Sequence, residues 1–91
     1  MRQCMDVDKV QGRLKRVEGQ IRGISSMVDR DVPCEDILIQ ISAAKNALHK
    51  IGQVILEGHM EHCVLDGLKD GKHEETIKKL NKAVEQFARL G

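Results

Sequence analysis

Apolar residues at Val7, Val10, Leu14, Val17, Ile21, Ile24 and Val28 recur in steps that alternate three and four. That spacing is a heptad stripe along one helical face, and no strand presents it. Asp6 is placed to cap the N-terminus of this helix. A second stripe runs through Ile37, Ile41, Ala44, Leu48, Ile51 and Ile55, and a third through Ile77, Leu80, Val84 and Phe87. Pro33 disfavours helix at Val32, so the second helix starts near Cys34 or Glu35. Acidic Glu35 and Asp36 complement the dipole of its first turn. The spacing carries it through Gly58 to about Leu65. Gly67, Asp70 and Gly71 punctuate a loop, and a third helix follows from about His73 to Leu90. Gly12, Gly19 and Gly23 each cost the first helix about 1 kcal/mol relative to Ala. Inside so regular a stripe, they predict close approach of another backbone. The fold class is all-α, with a three-helix protomer and no strand.

Such a protomer cannot be self-sufficient. Phe87 is the one aromatic residue among 91, so burial falls to Ile, Leu, Val, Met and Ala. A chain this short is marginal as a monomer even with aromatic help. The second stripe is also too broad for one partner, because Leu38, Ile39, Val54, Leu56 and Met60 lie outside its narrow seam. An antiparallel helix pair docking on a second pair covers both faces. The chain therefore predicts a single domain that assembles with copies of itself.

Several classes are excluded. The N-terminus lacks the apolar stretch of a signal peptide, and no segment approaches a membrane span. Three cysteines are an odd count, which argues against a closed disulfide framework. The expectation is a cytoplasmic protein whose cysteines are ligands, redox sensors or core. No nucleophile–base–acid set or phosphate loop is present, so an enzyme is not expected. Net charge is +1, but its distribution is uneven. Residues 1–28 carry six basic against three acidic side chains, and residues 59–75 carry two against five. Arg13, Lys15, Arg16, Arg22, Lys45 and Lys50 form a basic face, which attracts phosphate if it is not simply solvated. No aromatics interleave these charges, which disfavours stacking on single strands.

His59 and Cys63 are four apart, on one helical face. Both coordinate Zn, Cu or Ni, and thiolate favours softer metals such as Cu(I). Cys34 sits at a helix N-terminus, where the dipole and free amides favour thiolate. A continuous helix puts Cys34 and Cys63 roughly 43 Å apart, so one chain cannot bring them to one metal. In an antiparallel dimer of second helices, Cys34 of one chain meets His59 and Cys63 of the other. Two thiolates and one imidazole make a three-coordinate site, which suits Cu(I) better than four-coordinate Zn. His62, one residue from Cys63, is turned about 100° away and expected to face solvent. His49 and His73 are expected on the surface, Met27 and Met60 in packing, and Cys4 as a terminal thiol.

The segment from Arg13 to Ile24, the segment Cys34 to Ala43 with Ile39-Gln40-Ile41-Ser42-Ala43, and Gly58-His59 followed by Cys63 together resemble the CsoR/RcnR/FrmR family of bacterial metal- and stress-sensing repressors. The resemblance spans nearly the whole chain. Cys34, then His59, then Cys63 is similar to the ligand pattern of the family's copper sensors. It implies one metal-sensing, DNA-binding helical domain over residues 1–91, an antiparallel dimer, and a flat tetramer built as a dimer of dimers. It implies a repressor without a helix-turn-helix that binds double-stranded operator DNA through Arg13, Arg16 and Lys50 and releases it when Cu(I) binds. Relatives that respond to nickel, zinc or persulfide, and a copper buffer with no DNA role, are the alternatives. Two positions depart from the copper sensors: Pro33 stands where they carry tyrosine, and Lys79 where they carry glutamate. Glu75 is a nearby candidate for the missing carboxylate.

Overall fold

The computed structural model describes residues 5–91, and every described regular element is helical. Cys4 lies outside the described residues. The elements are α1 (Val7–Asp29), α2 (Cys34–Gly58), a π-helical segment (His59–Val64), α3 (Leu65–Lys69) and α4 (His73–Ala88). Gly58, His59, Val64 and Leu65 all keep right-handed helical φ and ψ. Hence α2, the π segment and α3 form one rod, and the protomer has three rods, as the stripes require. The rod ends at Lys69 rather than near Leu65.

The boundaries have local causes. The Asp6 carboxylate accepts from the Lys9 amide at 3.2 Å and caps α1. At the other end of α1, the Val32 amide donates to the Met27 carbonyl and the Asp31 amide to the Val28 carbonyl. These paired bonds are a Schellman closure, which needs a left-handed residue. Asp31 supplies it with φ of 59°, where glycine is the usual occupant. The same closure ends α3, where Lys72 donates to Gly67 and Gly71 to Leu68, and there Gly71 takes φ of 77°. Asp31→Gly should therefore stabilise the fold by about 0.5–1 kcal/mol in urea titrations at fixed protein concentration.

α1 lies antiparallel on α2, with Val10 and Val17 buried against Ile51 and with Leu14, Ala47, Val54 and Ile55 around them. α4 folds back along the far part of the rod. It approaches closely at two glycines that the stripes did not single out. A Cβ at Gly67 would collide with the Thr76 side chain, and one at Gly52 would come within 2.6 Å of Leu90. Among the described residues, nothing occupies the space where a Cβ would stand at Gly12 or Gly23, and at Gly19 it would meet only the end of Arg22. The close approach expected at those three is thus not made within the protomer. Thr76 is β-branched and buried, so it cannot yield cheaply. Gly67→Ala should lose about 1–2 kcal/mol by denaturation, overpacking outweighing the gain in helix propensity.

The extents are 57 × 24 × 13 Å. The shortest is about one helix diameter, so the protomer is a single layer. Among the described residues only Val10, Val17, Ala44 and Ile51 are buried hydrophobics, while Leu38 and Ile39 are 63% and 62% exposed. Ile77 and Val84, expected on the inner face of the last helix, are 45% and 46% exposed. A one-layer protomer offers α4 a partner on one side only, and Leu80, Ala83 and Phe87 take that side. Among the described residues no helix is long and apolar enough to cross a membrane.

Candidate metal centre and basic groove

Cys34 is the first residue of α2, exposed and a free thiol. His59 opens the π segment immediately after the 25 residues of α2. At about 1.5 Å per residue the intervening helix spans roughly 37 Å. Cys34 therefore cannot reach His59 within one protomer. Among the described residues, no three His, Cys, Asp or Glu side chains of the protomer converge on a metal position.

His59 and Cys63 share the π segment. An α-helix completes a turn in 3.6 residues, whereas π hydrogen bonding to the fifth residue widens the turn. The wider turn resets the angle between residues four apart, and such segments recur at functional sites. It also changes the aspect of His62. That side chain is exposed, as expected, yet it lines the same cavity as His59 and Cys63. The cavity holds about 560 Å³ and is closed on its other side by Glu75, Thr76 and Lys79 of α4. Glu75 is therefore on the wall facing the candidate ligands, where it pairs with Lys79 at 3.2 Å.

The ring of His59 carries the sharpest signal. Its Nε2 is buried and has no hydrogen-bond partner among the described residues. Leaving such an atom unsatisfied costs about 1–3 kcal/mol, so buried polar atoms are nearly always paired. A metal ion fits the vacancy in its bonding, because neutral imidazole nitrogen is a metal ligand. Cys63, half-buried four residues on, is held in a disulfide in the structure and would ligate as the reduced thiolate. His59 also lines a second cavity of about 430 Å³ between α2 and α4, with Met5, Gly52, Leu56, Phe87 and Leu90.

Arg13 and Arg16 of α1 and Lys50 of α2 converge on one groove of about 370 Å³, floored by Val17, Ala47 and Ile51 and edged by Gln20. None of the three is in an ion pair among the described residues, whereas Arg22 is paired with Glu18 at 3.9 Å. Lys45 donates instead to the Gly91 carbonyl at 3.5 Å. Of the basic face expected from sequence, Arg13, Arg16 and Lys50 gather in this groove, while Lys15, exposed on α1 and in no ion pair among the described residues, does not line it. His49 is not on the open surface: it is half-buried, its ring 5.0 Å from that of Phe87. His73 is exposed, and its Nε2 lies 3.1 Å from the Leu68 carbonyl at the end of α3.

Residues 6–86 match a family model described as a metal-sensitive transcriptional repressor. The copper-sensing transcriptional repressor CsoR of Bacillus subtilis is 44% identical over 82 residues, which is 90% of this chain and 81% of that protein. The copper-sensing transcriptional repressor RicR of Mycobacterium tuberculosis is 44% identical over 64 residues, 70% of this chain and 67% of its own length. Among solved structures, the copper-sensing repressor CsoR with Cu(I) from Geobacillus thermodenitrificans superposes with a TM-score of 0.85 at 41% identity, covering 90% of this chain and 85% of that one. The nickel-responsive transcriptional regulator InrS superposes with a TM-score of 0.84 at 34% identity, covering 96% and 97%.

Proposed function

Because the chain belongs to the metal-sensitive transcriptional repressor family, we propose that it is a cytoplasmic Cu(I)-responsive repressor, binding operator DNA without metal and releasing it when Cu(I) binds. The observation that carries the metal assignment is the buried, unpartnered Nε2 of His59 beside Cys63. His59 and Cys63 supply two donors, and the partner subunit's Cys34 supplies the third in an antiparallel dimer. Copper then supplies a soft, positively charged centre that ties two protomers together. The open apolar positions Leu38, Ile39 and Ile41 on the first turns of α2 suit that dimer interface. A second pairing of dimers covers what remains of the single layer and gives a tetramer.

Arg13, Arg16 and Lys50 contact the phosphates of double-stranded DNA. Three unpaired cations in one groove make affinity fall steeply with salt. The protein's residues do the rest by geometry: α1 and α2 hold the basic groove, and α2 with the π segment holds the ligands. Metal and DNA therefore act on one continuous rod. By reciprocity, whatever factor copper takes from DNA affinity, DNA takes from copper affinity.

The test is anaerobic anisotropy with an operator duplex selected from a random library by the reduced, metal-free protein. Cu(I) at one equivalent per protomer should lower operator affinity by about fivefold to 150-fold. An unchanged affinity with copper bound overturns the assignment.

A further inference from the structure

We propose that Phe87 and His49 are positioning residues that carry the response from the metal centre to the basic groove. The inference rests on the repressor reading and names the route inside one protomer.

α4 forms a wall of both cavities that His59 lines. Toward its N-terminus it supplies Glu75, Thr76 and Lys79, and toward its C-terminus Ala83, Gln86 and Phe87. It is thus the element that any rearrangement around His59 must move or meet. Its hold on the rod is narrow. One end is packed through Thr76 against Gly67, and the other through Phe87 and Leu90 against Gly52. At that second end the Phe87 ring lies 5.0 Å from the His49 ring, with the planes inclined at 40°. His49 is bonded to Lys50, and Ala47 and Ile51 of the same turns floor the basic groove. The path from His59 to Lys50 therefore runs across a cavity that His59 and Phe87 both line, through the Phe87–His49 ring contact, and along the backbone to Lys50.

The physical case is one of placement. α4 packs along the rod, closely at Gly67 and Gly52, so a shift of α4 beside His59 is carried to Phe87 at its other end. Engaging Nε2 fixes the His59 ring, and the ring shares its cavity with Phe87. Close-packed side chains adjust by discrete repacking rather than by gradual strain. Phe87 is the only Phe, Tyr or Trp in the chain, and its inclined seat on the His49 ring is sensitive to a small shift of α4.

The experiment compares Phe87→Leu, His49→Ala and His49→Phe with the wild type as full-length reduced protein. Operator anisotropy is measured with and without Cu(I), and Cu(I) affinity by competition with a chromophoric chelator. Phe87→Leu and His49→Ala should keep metal-free operator affinity and Cu(I) affinity within about threefold, yet shrink the copper effect on DNA by about tenfold. His49→Phe, which keeps a ring on Phe87, should retain the wild-type effect. A merely structural role would lower stability or both affinities without changing their ratio, and that result overturns the proposal. So does a full copper effect in His49→Ala, which also decides the matter if Phe87→Leu does not fold. A wild type with no copper effect refutes the repressor reading itself, and this inference with it.

Discussion

Replacing His59 by Ala should lower Cu(I) affinity by more than about a hundredfold, since even residues that only support a ligand are worth 10–100-fold. The copper-induced loss of operator affinity should vanish with it, while metal-free DNA binding stays within a few fold. The stability of the metal-free protein should change little, within about 1 kcal/mol. Removing the imidazole deletes an unsatisfied Nε2 as well as some packing, and the two terms oppose each other. Wild-type protein should gain thermal stability in proportion to the logarithm of free Cu(I), and His59→Ala should not. The measurements are chelator competition and a melting series under anaerobic, reducing conditions. Persistence of the DNA response in His59→Ala would point to chemistry at Cys34 and Cys63 alone, and copper would lose its place as inducer.

The second large effect concerns the groove. Reversing both Arg13 and Lys50 to Glu should lower operator affinity by about a thousandfold at moderate salt. Copper affinity of the DNA-free protein should stay within a few fold, since the groove and the candidate ligands occupy different stretches of the rod. The milder pair of Ala substitutions should reduce the salt slope by roughly 1.8 for each protomer that docks, two contacts at about 0.9 apiece. An unaltered slope would mean that Arg13 and Lys50 face solvent on the bound protein. A copper buffer with no DNA role would tolerate the double reversal entirely.

Much of this was legible in the residues. Steps of three and four from Val7 to Val28 do not fit a strand, and Asp6 and Pro33 mark real boundaries. The separation of Cys34 from His59 needed only helix length. Charge alone made the groove legible as a basic face of six residues; the family resemblance singled out Arg13, Arg16 and Lys50, and these three line one groove. Arg22 and Lys45 are diverted to Glu18 and to the Gly91 carbonyl, and sequence spacing shows only the first of those diversions. The π segment has no signature in hydrophobic period, so the shared cavity of His59, His62 and Cys63 could not be foreseen. Ile77 and Val84 carry the right period and still face outward, because a stripe reports which residues are apolar and not whether another element lies over them. Gly67 was read as loop punctuation and lies inside α3, and Gly52 was not singled out: their close partners, Thr76 and Leu90, are distant in sequence, which spacing does not report.

The roughly 37 Å between Cys34 and His59 has a genetic consequence on the proposed antiparallel dimer. Each dimer would carry two sites, and each site would draw Cys34 from one copy and His59 with Cys63 from the other. A Cys34→Ala allele and a His59→Ala allele are then both blind to copper alone. Expressed together, they form mixed dimers in which the first allele donates His59 and Cys63 and the second donates Cys34. One site of each mixed dimer is whole, and the other lacks two donors. Two broken alleles should thus complement each other, and a cell carrying both should regain a copper response that neither parent shows.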